Sequence, residues 1–194
     1  MAVTKYVPLE TVHAAAEAGV QDFGENYAKE LAAKAPEVPA TWHFLGKLQR
    51  GNAVRVAEHA DVIHSAEPGG ALDRVARRAA ARGRVIPILV QVDFTGGRQG
   101  ITPREVEGFL RSIRGREGIE SIGVMTLPPW AGDPEETRPL FASLRLLRDQ
   151  LREMWPEIRE LSMGMSGDYA VAVEEGATML RIGTALFGER PAAT

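Results

Sequence analysis

Two hydrophobic rhythms alternate along this chain. Short runs of β-branched and aromatic residues give way to segments with apolar residues at helical spacing, and Gly, Pro or polar clusters separate them. The pattern predicts a first strand at Val3 to Tyr6 and a helix from about Leu9 to Ala18, stopped by Gly19. A second strand, Val20 to Phe23, turns at Gly24-Glu25-Asn26 into a helix through Ala32. Thr41 to Leu45 is the third strand, with a helix from about Asn52 to His59; Asp61 to Ser65 is the fourth, with a helix from Ala71 to Arg82. Val85 to Phe94, the fifth, is almost continuously apolar, as a strand buried on both faces requires. A Gly-rich loop, Thr95 to Gly100, leads to a helix from Pro103 to about Ile113. The sixth strand is Ile119 to Leu127, followed by the loop Pro128-Pro129-Trp130 and the longest helix, Glu135 to Met154. Glu160 to Met165 is the seventh, with Ser166-Gly167-Asp168 capping a helix to Glu175. Met179 to Gly183 is the eighth, with a short tail.

Strict β/α alternation demands parallel strands and right-handed crossovers, which leaves an open doubly wound sheet or a closed barrel. Eight units favour the barrel. The expected fold is α/β, a single compact (β/α)8 TIM-type barrel over residues 1–194, lacking an N-terminal helix ahead of its first strand.

Composition narrows the field. Hydrophobic residues make up 44% and charged residues 25% of the 194, so one sizeable core forms. The net charge of −3 argues against a nucleic-acid surface or an anionic membrane. With no cysteine there is no disulfide, thiolate metal site or catalytic thiol. The longest apolar stretch, Val85 to Val92, is far short of a bilayer span, and MAVTKYVPLE has no leader pattern, so a cytoplasmic location is expected.

Barrel chemistry lies at the carboxyl ends of the strands. There the sequence places Lys5, Glu25, Asn26, His43, Gly46, Met125, Thr126, the run Ser162 to Asp168, and Arg181-Ile182-Gly183-Thr184. Small residues after strands seven and eight let backbone N–H groups approach a ligand, and Ser166 stands where a helix is predicted to begin; together they form an anion cradle suited to phosphate. The four lysines are Lys5, Lys29, Lys34 and Lys47. Lys29 and Lys34 are expected on a solvated helix face and Lys47 in a loop, whereas Lys5 falls within a strand at the barrel mouth. A lysine and a phosphate cup in one mouth are what pyridoxal 5′-phosphate (PLP) requires. The histidines, His13, His43, His59 and His64, lack metal-ligand spacing, so no metal site is expected. His43, between Trp42 and Phe44, reads equally as a core or a functional residue. Asp93 and Glu67 are possible acids at strand ends. The Thr95 to Gly100 loop has neither a Walker nor a dinucleotide fingerprint.

Read together and in order, Val3-Thr4-Lys5, Phe23-Gly24-Glu25-Asn26-Tyr27, Trp42-His43-Phe44-Leu45-Gly46 with Leu48-Gln49, Gly123-Val124-Met125, Leu161 to Ser166 and Arg181 to Gly188 resemble the pyridoxal phosphate homeostasis proteins (YggS/PROSC type), whose fold is similar to the N-terminal barrel of alanine racemase. The resemblance implies that Lys5 bonds PLP as a Schiff base. It also implies that Ser166, Gly183 and Thr184 hold the phosphate, that Arg181 faces the pyridine nitrogen and that Asn26 lies near the cofactor. Members usually carry a helix ahead of the lysine strand; its lack here implies an open barrel floor or a truncated start. Gly51-Asn52-Ala53 and Arg98 also depart from the family's usual lysine-bearing loops.

Three functions are then in contention: a PLP carrier without substantial amino-acid turnover, a PLP-dependent amino-acid racemase, and a barrel that binds another phosphorylated metabolite without a Schiff base. A racemase of the alanine type needs an opposing tyrosine from a second domain, which one barrel does not supply. An arginine at the ring nitrogen weakens the electron sink. The resemblance therefore favours a carrier, with PLP as ligand and apo PLP-dependent enzymes or free amino acids as further partners.

Overall fold

The computed structural model describes residues 1–189; the tail expected after the eighth strand lies outside them from residue 190 on. Eight parallel strands run in chain order: β1 (Ala2–Val3), β2 (Asp22–Glu25), β3 (Thr41–Phe44), β4 (Val62–Ala66), β5 (Ile86–Gln91), β6 (Ile119–Met125), β7 (Glu160–Met165) and β8 (Met179–Arg181). Val3 N–H donates to Ile182 O at 2.7 Å and Ile182 N–H to Met1 O at 3.1 Å, which joins β8 to β1 and closes a single (β/α)8 TIM-type barrel. Between the strands lie α1 (Leu9–Glu17), α2 (Ala28–Lys34), α3 (Ala53–His59), α4 (Gly70–Ala80), α5 (Pro103–Ile113), α6 (Arg138–Arg152) and α7 (Tyr169–Glu174), with α8 (Thr184–Phe187) after β8.

Local chemistry sets the boundaries. Thr102 and Glu105 form a reciprocal capping box at α5, with Pro103 fixing the first helical φ. The long helix expected over Glu135 to Met154 is two pieces, a 3-10 turn (Pro134–Thr137) and then α6, because Pro139 lacks the N–H that a continuous helix would use. The first strand is shorter than expected. It ends at Val3, and Tyr6 adopts a left-handed φ of 63°, so Lys5 sits in a turn just past the strand rather than within it.

Alternation along the strands sorts the core into two layers. Ile63, Ile88, Val90, Val124, Leu161 and Met163 point outward into the large cluster shared with the helices. Val62, Leu89 and Met125 form a smaller inner cluster. The rest of the interior is polar, with His43, His64, Gln91, Ser162 and Arg181 all buried. No helix among the described residues is long and apolar enough to cross a membrane.

Candidate functional site

A cavity of about 480 Å³ opens at the carboxyl ends of the strands and brings together the residues that the resemblance assigned to the cofactor, Lys5, Asn26, Ser166, Arg181, Gly183 and Thr184, while Glu25, His43, Thr126, Asp93 and Glu67 do not line it. Its volume falls in the range of small-molecule sites. Apolar walls come from Leu45, Met125 and Leu127, and the loop after β6 adds Pro129 and Trp130 at the rim. Trp130 is 89% exposed there.

Two glycines let the frame close. A Cβ on Gly46 would stand 1.8 Å from the carbonyl oxygen of Asn26, so the end of β3 rests directly on the backbone that carries Asn26. Gly164 has a φ of +88°, and a Cβ there would lie 2.5 Å from Ala172 Cβ; its absence lets α7 fold over β7 just before Ser166.

The segment around Ser166 is built differently from the cradle expected there. α7 begins at Tyr169, three residues beyond Ser166, and Asp168 does not cap it with its side chain; Asp168 Oδ1 instead accepts Met165 N–H at 2.6 Å. The donors come from the other strand. Gly183 N–H and Ala185 N–H, at the start of α8, both point at Ser166 Oγ at 3.2 Å. Two amides converging on one oxygen are the arrangement that anion-binding nests use; here the neutral Ser166 hydroxyl occupies it.

Lys5 lines the cavity just past β1, the strand that pairs with β8, with its ammonium 5.4 Å from the Tyr6 ring centroid. The turn that carries it is tied down: Tyr6 N–H donates to Glu30 Oε2 at 2.9 Å, and the Tyr6 and Tyr27 hydroxyls lie 2.6 Å apart. Beneath that turn is an ion cluster that corrects the reading of Lys34 as solvated. Lys34 is 6% exposed and donates to Glu25 Oε1 at 2.6 Å, Glu30 Oε2 at 2.8 Å and the carbonyl of Thr4 at 2.7 Å. Thr4 Oγ1 adds a bond to Glu25 Oε1 at 2.8 Å. Glu25 is therefore committed below the mouth, where burial pushes its carboxyl above the ordinary value against the pull of Lys34 and Thr4. Sequence spacing left this open, because α2 exposes Lys29 while Lys34, on the same short helix, turns inward.

Arg181 forms the cavity's deep end at 5% exposure. Nη1 donates to Ser162 Oγ at 2.6 Å and Nη2 to the carbonyl of Thr126 at 2.9 Å. Burial lowers its pKa to about 10, with Asp168 opposing, so it stays a cation at neutral pH. Asp93, read as a possible acid, instead orders the loop after β5 by accepting the N–H groups of Thr95 and Arg98.

His43 and His64 are interior residues whose rings meet at 2.9 Å. Burial pulls both imidazoles below their ordinary value of 6.5. For His43 the Asp22 carboxylate works against that shift and Asp61 more weakly so, while the Met1 ammonium reinforces it; His64 is driven further by His43, Arg181 and the Met1 ammonium. Depressed histidines are neutral when folded and take up protons on unfolding, so their contribution to stability is complete above pH 6.5 and declines as pH falls through the folded values. Urea midpoints are expected to fall between pH 6.5 and about 5.5, by up to about 1.4 kcal/mol per pH unit for each histidine. Glu25, raised above the ordinary carboxylate value, pulls the other way, so a flat or rising profile would show that the histidines do not dominate.

Comparison with known proteins agrees with this frame. The model of the alanine racemase N-terminal domain family matches residues 1–191. A pyridoxal phosphate homeostasis protein of Aquifex aeolicus is 36% identical over 196 residues, covering 98% of this chain and 86% of that one. The structure of PipY from Synechococcus elongatus, solved with PLP bound, superposes with a TM-score of 0.89 at 37% identity, over 97% of this chain and 91% of that one. Alanine racemase of Clostridium difficile shares the fold, with a TM-score of 0.80 at 16% identity over 98% of this chain and 52% of its own. By sequence and by fold, then, the chain belongs to the alanine racemase N-terminal domain family and, within it, with the pyridoxal phosphate homeostasis proteins.

Proposed function

We propose that this chain is a PLP-binding protein that holds the cofactor through Lys5 and releases it again, as one barrel domain over residues 1–194, without substantial amino-acid turnover. The observation that carries the reading is the meeting, in one cavity, of a primary amine, a two-amide anion nest and a buried guanidinium. The residues present fit the group. The amides of Gly183 and Ala185 already converge on one oxygen, and a phosphate oxygen makes the same demand. The relatives' name and the PLP-bound PipY structure support the same choice.

PLP supplies an aldehyde that condenses with a primary amine and a phosphate that anchors it. Ser166, Gly183 and Thr184 would take the phosphate and Asn26 would border the ring. Arg181 would present an N–H to the pyridine nitrogen and, because a guanidinium only donates, would favour that nitrogen unprotonated. Racemisation needs proton carriers on both faces of the α-carbon. Among the described residues lining the cavity the titratable ones are Lys5, Asp168 and Arg181, and Asp168 is engaged with Met165 N–H. Tyr6 and Tyr27 face each other and are not among the lining residues. Free amino acids and apo PLP-dependent enzymes are the expected recipients of the cofactor, in the cytoplasm.

The test incubates PLP-loaded protein with L-alanine in deuterated water and measures α-deuterium and the D-isomer. No appreciable exchange is expected. Turnover at about 1 s⁻¹ or faster, abolished by Lys5→Ala, would replace the carrier reading with the racemase one.

A further inference from the structure

A column of polar side chains crosses the barrel beneath the cavity. From Arg181 Nη1 it passes to Ser162 Oγ at 2.6 Å, from there to His64 Nδ1 at 2.8 Å, from His64 Nε2 to His43 Nδ1 at 2.9 Å, and from His43 Nε2 to Asp22 Oδ1 at 3.0 Å. β4 and β7 are not neighbours in the sheet, so the bond between His64 and Ser162 spans the interior from wall to wall. Asp22, the first residue of β2, stands at the floor with its side chain 51% exposed, and the four other members are buried.

The two ends fix every proton between them. Arg181 can only donate, so Ser162 Oγ accepts from it; with both rings neutral and the Asp22 carboxylate accepting from His43, His64 Nδ1 is left bare and takes the Ser162 hydroxyl hydrogen. His64 then carries its hydrogen on Nε2 and gives it to His43 Nδ1; His43 carries its own on Nε2 and gives it to the Asp22 carboxylate. Both rings are neutral and each contact pairs one donor with one acceptor. The reverse order would set a bare His43 nitrogen against a carboxylate and leave the Ser162 hydroxyl hydrogen without its acceptor. Such one-way chains reinforce each other's polarity in a low-dielectric interior.

We propose that His64 and His43 are positioning residues for Arg181: oriented from the floor by Asp22, they keep Ser162 an acceptor and so hold the guanidinium in the pose that meets the ligand's ring. This rests on PLP as the ligand, but the column is a property of the ligand-free protein and is tested there first. Imidazole 15N NMR near pH 7 is expected to show His43 and His64 both neutral and both protonated on Nε2. Asp22→Ala is expected to move His43 toward mixed tautomers, while Asp22→Asn, which keeps an acceptor oxygen without the charge, retains the Nε2–H form. PLP affinity, measured by absorbance titration, is expected to fall about tenfold in Ser162→Ala, which takes the acceptor from a charged donor. It should fall less in Asp22→Ala and recover in Asp22→Asn. Asp22 is half exposed, so its variants fold even if Ser162→Ala does not. A Nδ1–H tautomer at either ring, or equal PLP affinity in Asp22→Ala and the parent, overturns the proposal. Failure of the parent chain to bind PLP overturns the functional reading instead, and the tautomers still decide the column.

Discussion

Lys5→Ala protein is expected to retain no PLP after borohydride reduction, whereas the parent chain carries the pyridoxyl mass on the peptide containing Lys5. The expectation is sharp because position separates the four lysines. Lys34 is enclosed by two carboxylates and a carbonyl beneath the mouth, Lys29 is exposed on α2, and Lys47 is exposed beyond β3. Only Lys5 among them lines the cavity that holds the amide nest. Its ammonium lies over the Tyr6 ring and takes no part in the ion cluster beneath the turn, so the variant should unfold at close to the parent's midpoint. Pyridoxyl mass on Lys29, Lys34 or Lys47 with Lys5 unmodified would move the covalent site elsewhere.

Lys34→Ala should produce the largest loss of stability. Truncation leaves Glu25, 0% exposed, without its ammonium, and leaves the Thr4 carbonyl with only the Val7 N–H; Glu25 Oε2 already has no hydrogen-bond partner among the described residues. Breaking a buried pair from one side costs about 3–5 kcal/mol, a large share of the 5–15 kcal/mol by which domains are stable. At roughly 2–4 °C per kcal/mol for a domain of this size, the midpoint should drop on the order of 10 °C. The double variant Glu25→Gln with Lys34→Met removes both charges and should recover much of that loss, since a neutral, well-filled replacement avoids the uncompensated carboxylate. Thermal unfolding followed by circular dichroism reads both. A Lys34→Ala midpoint within about 2 °C of the parent, at most about 1 kcal/mol on that scale, would show that the cluster carries little energy. The variant also reports on the site, because Thr4 precedes Lys5 and Glu25 precedes Asn26, so the cluster anchors two cavity residues through their neighbours.

The fold and the membership of the cavity were legible in the sequence for one reason: hydrophobic periodicity separates strand from helix, and a parallel barrel sends every strand's carboxyl end to the same face. Lys5, Asn26, Ser166, Arg181, Gly183 and Thr184 follow from that rule and from the family motifs. What stayed hidden depends on which way a side chain turns. Lys34 sits one turn past Glu30 on a short helix and could face either water or Glu25. The direction of the amides was hidden as well, since those of Gly183 and Ala185, not ones at the start of α7, converge on Ser166. His64 and Ser162 lie 98 positions apart, beyond any local pattern; the available signal was the polar pair His64-Ser65 inside a short strand flanked by Val62, Ile63 and Ala66.

That separation bears on how the molecule acquires its site. Contacts between distant segments carry a loop-closure cost that must be met before they return any energy, and they slow folding. The wall-to-wall bond of His64 to Ser162 cannot form until β7 has joined the sheet, and Arg181 arrives only with β8. Before that, the first six strands would bring an amine but neither the nest nor the guanidinium. On the proposed reading, cofactor capture would be a signature of the finished barrel, and free PLP, by binding only that form, would draw partly folded chains toward closure.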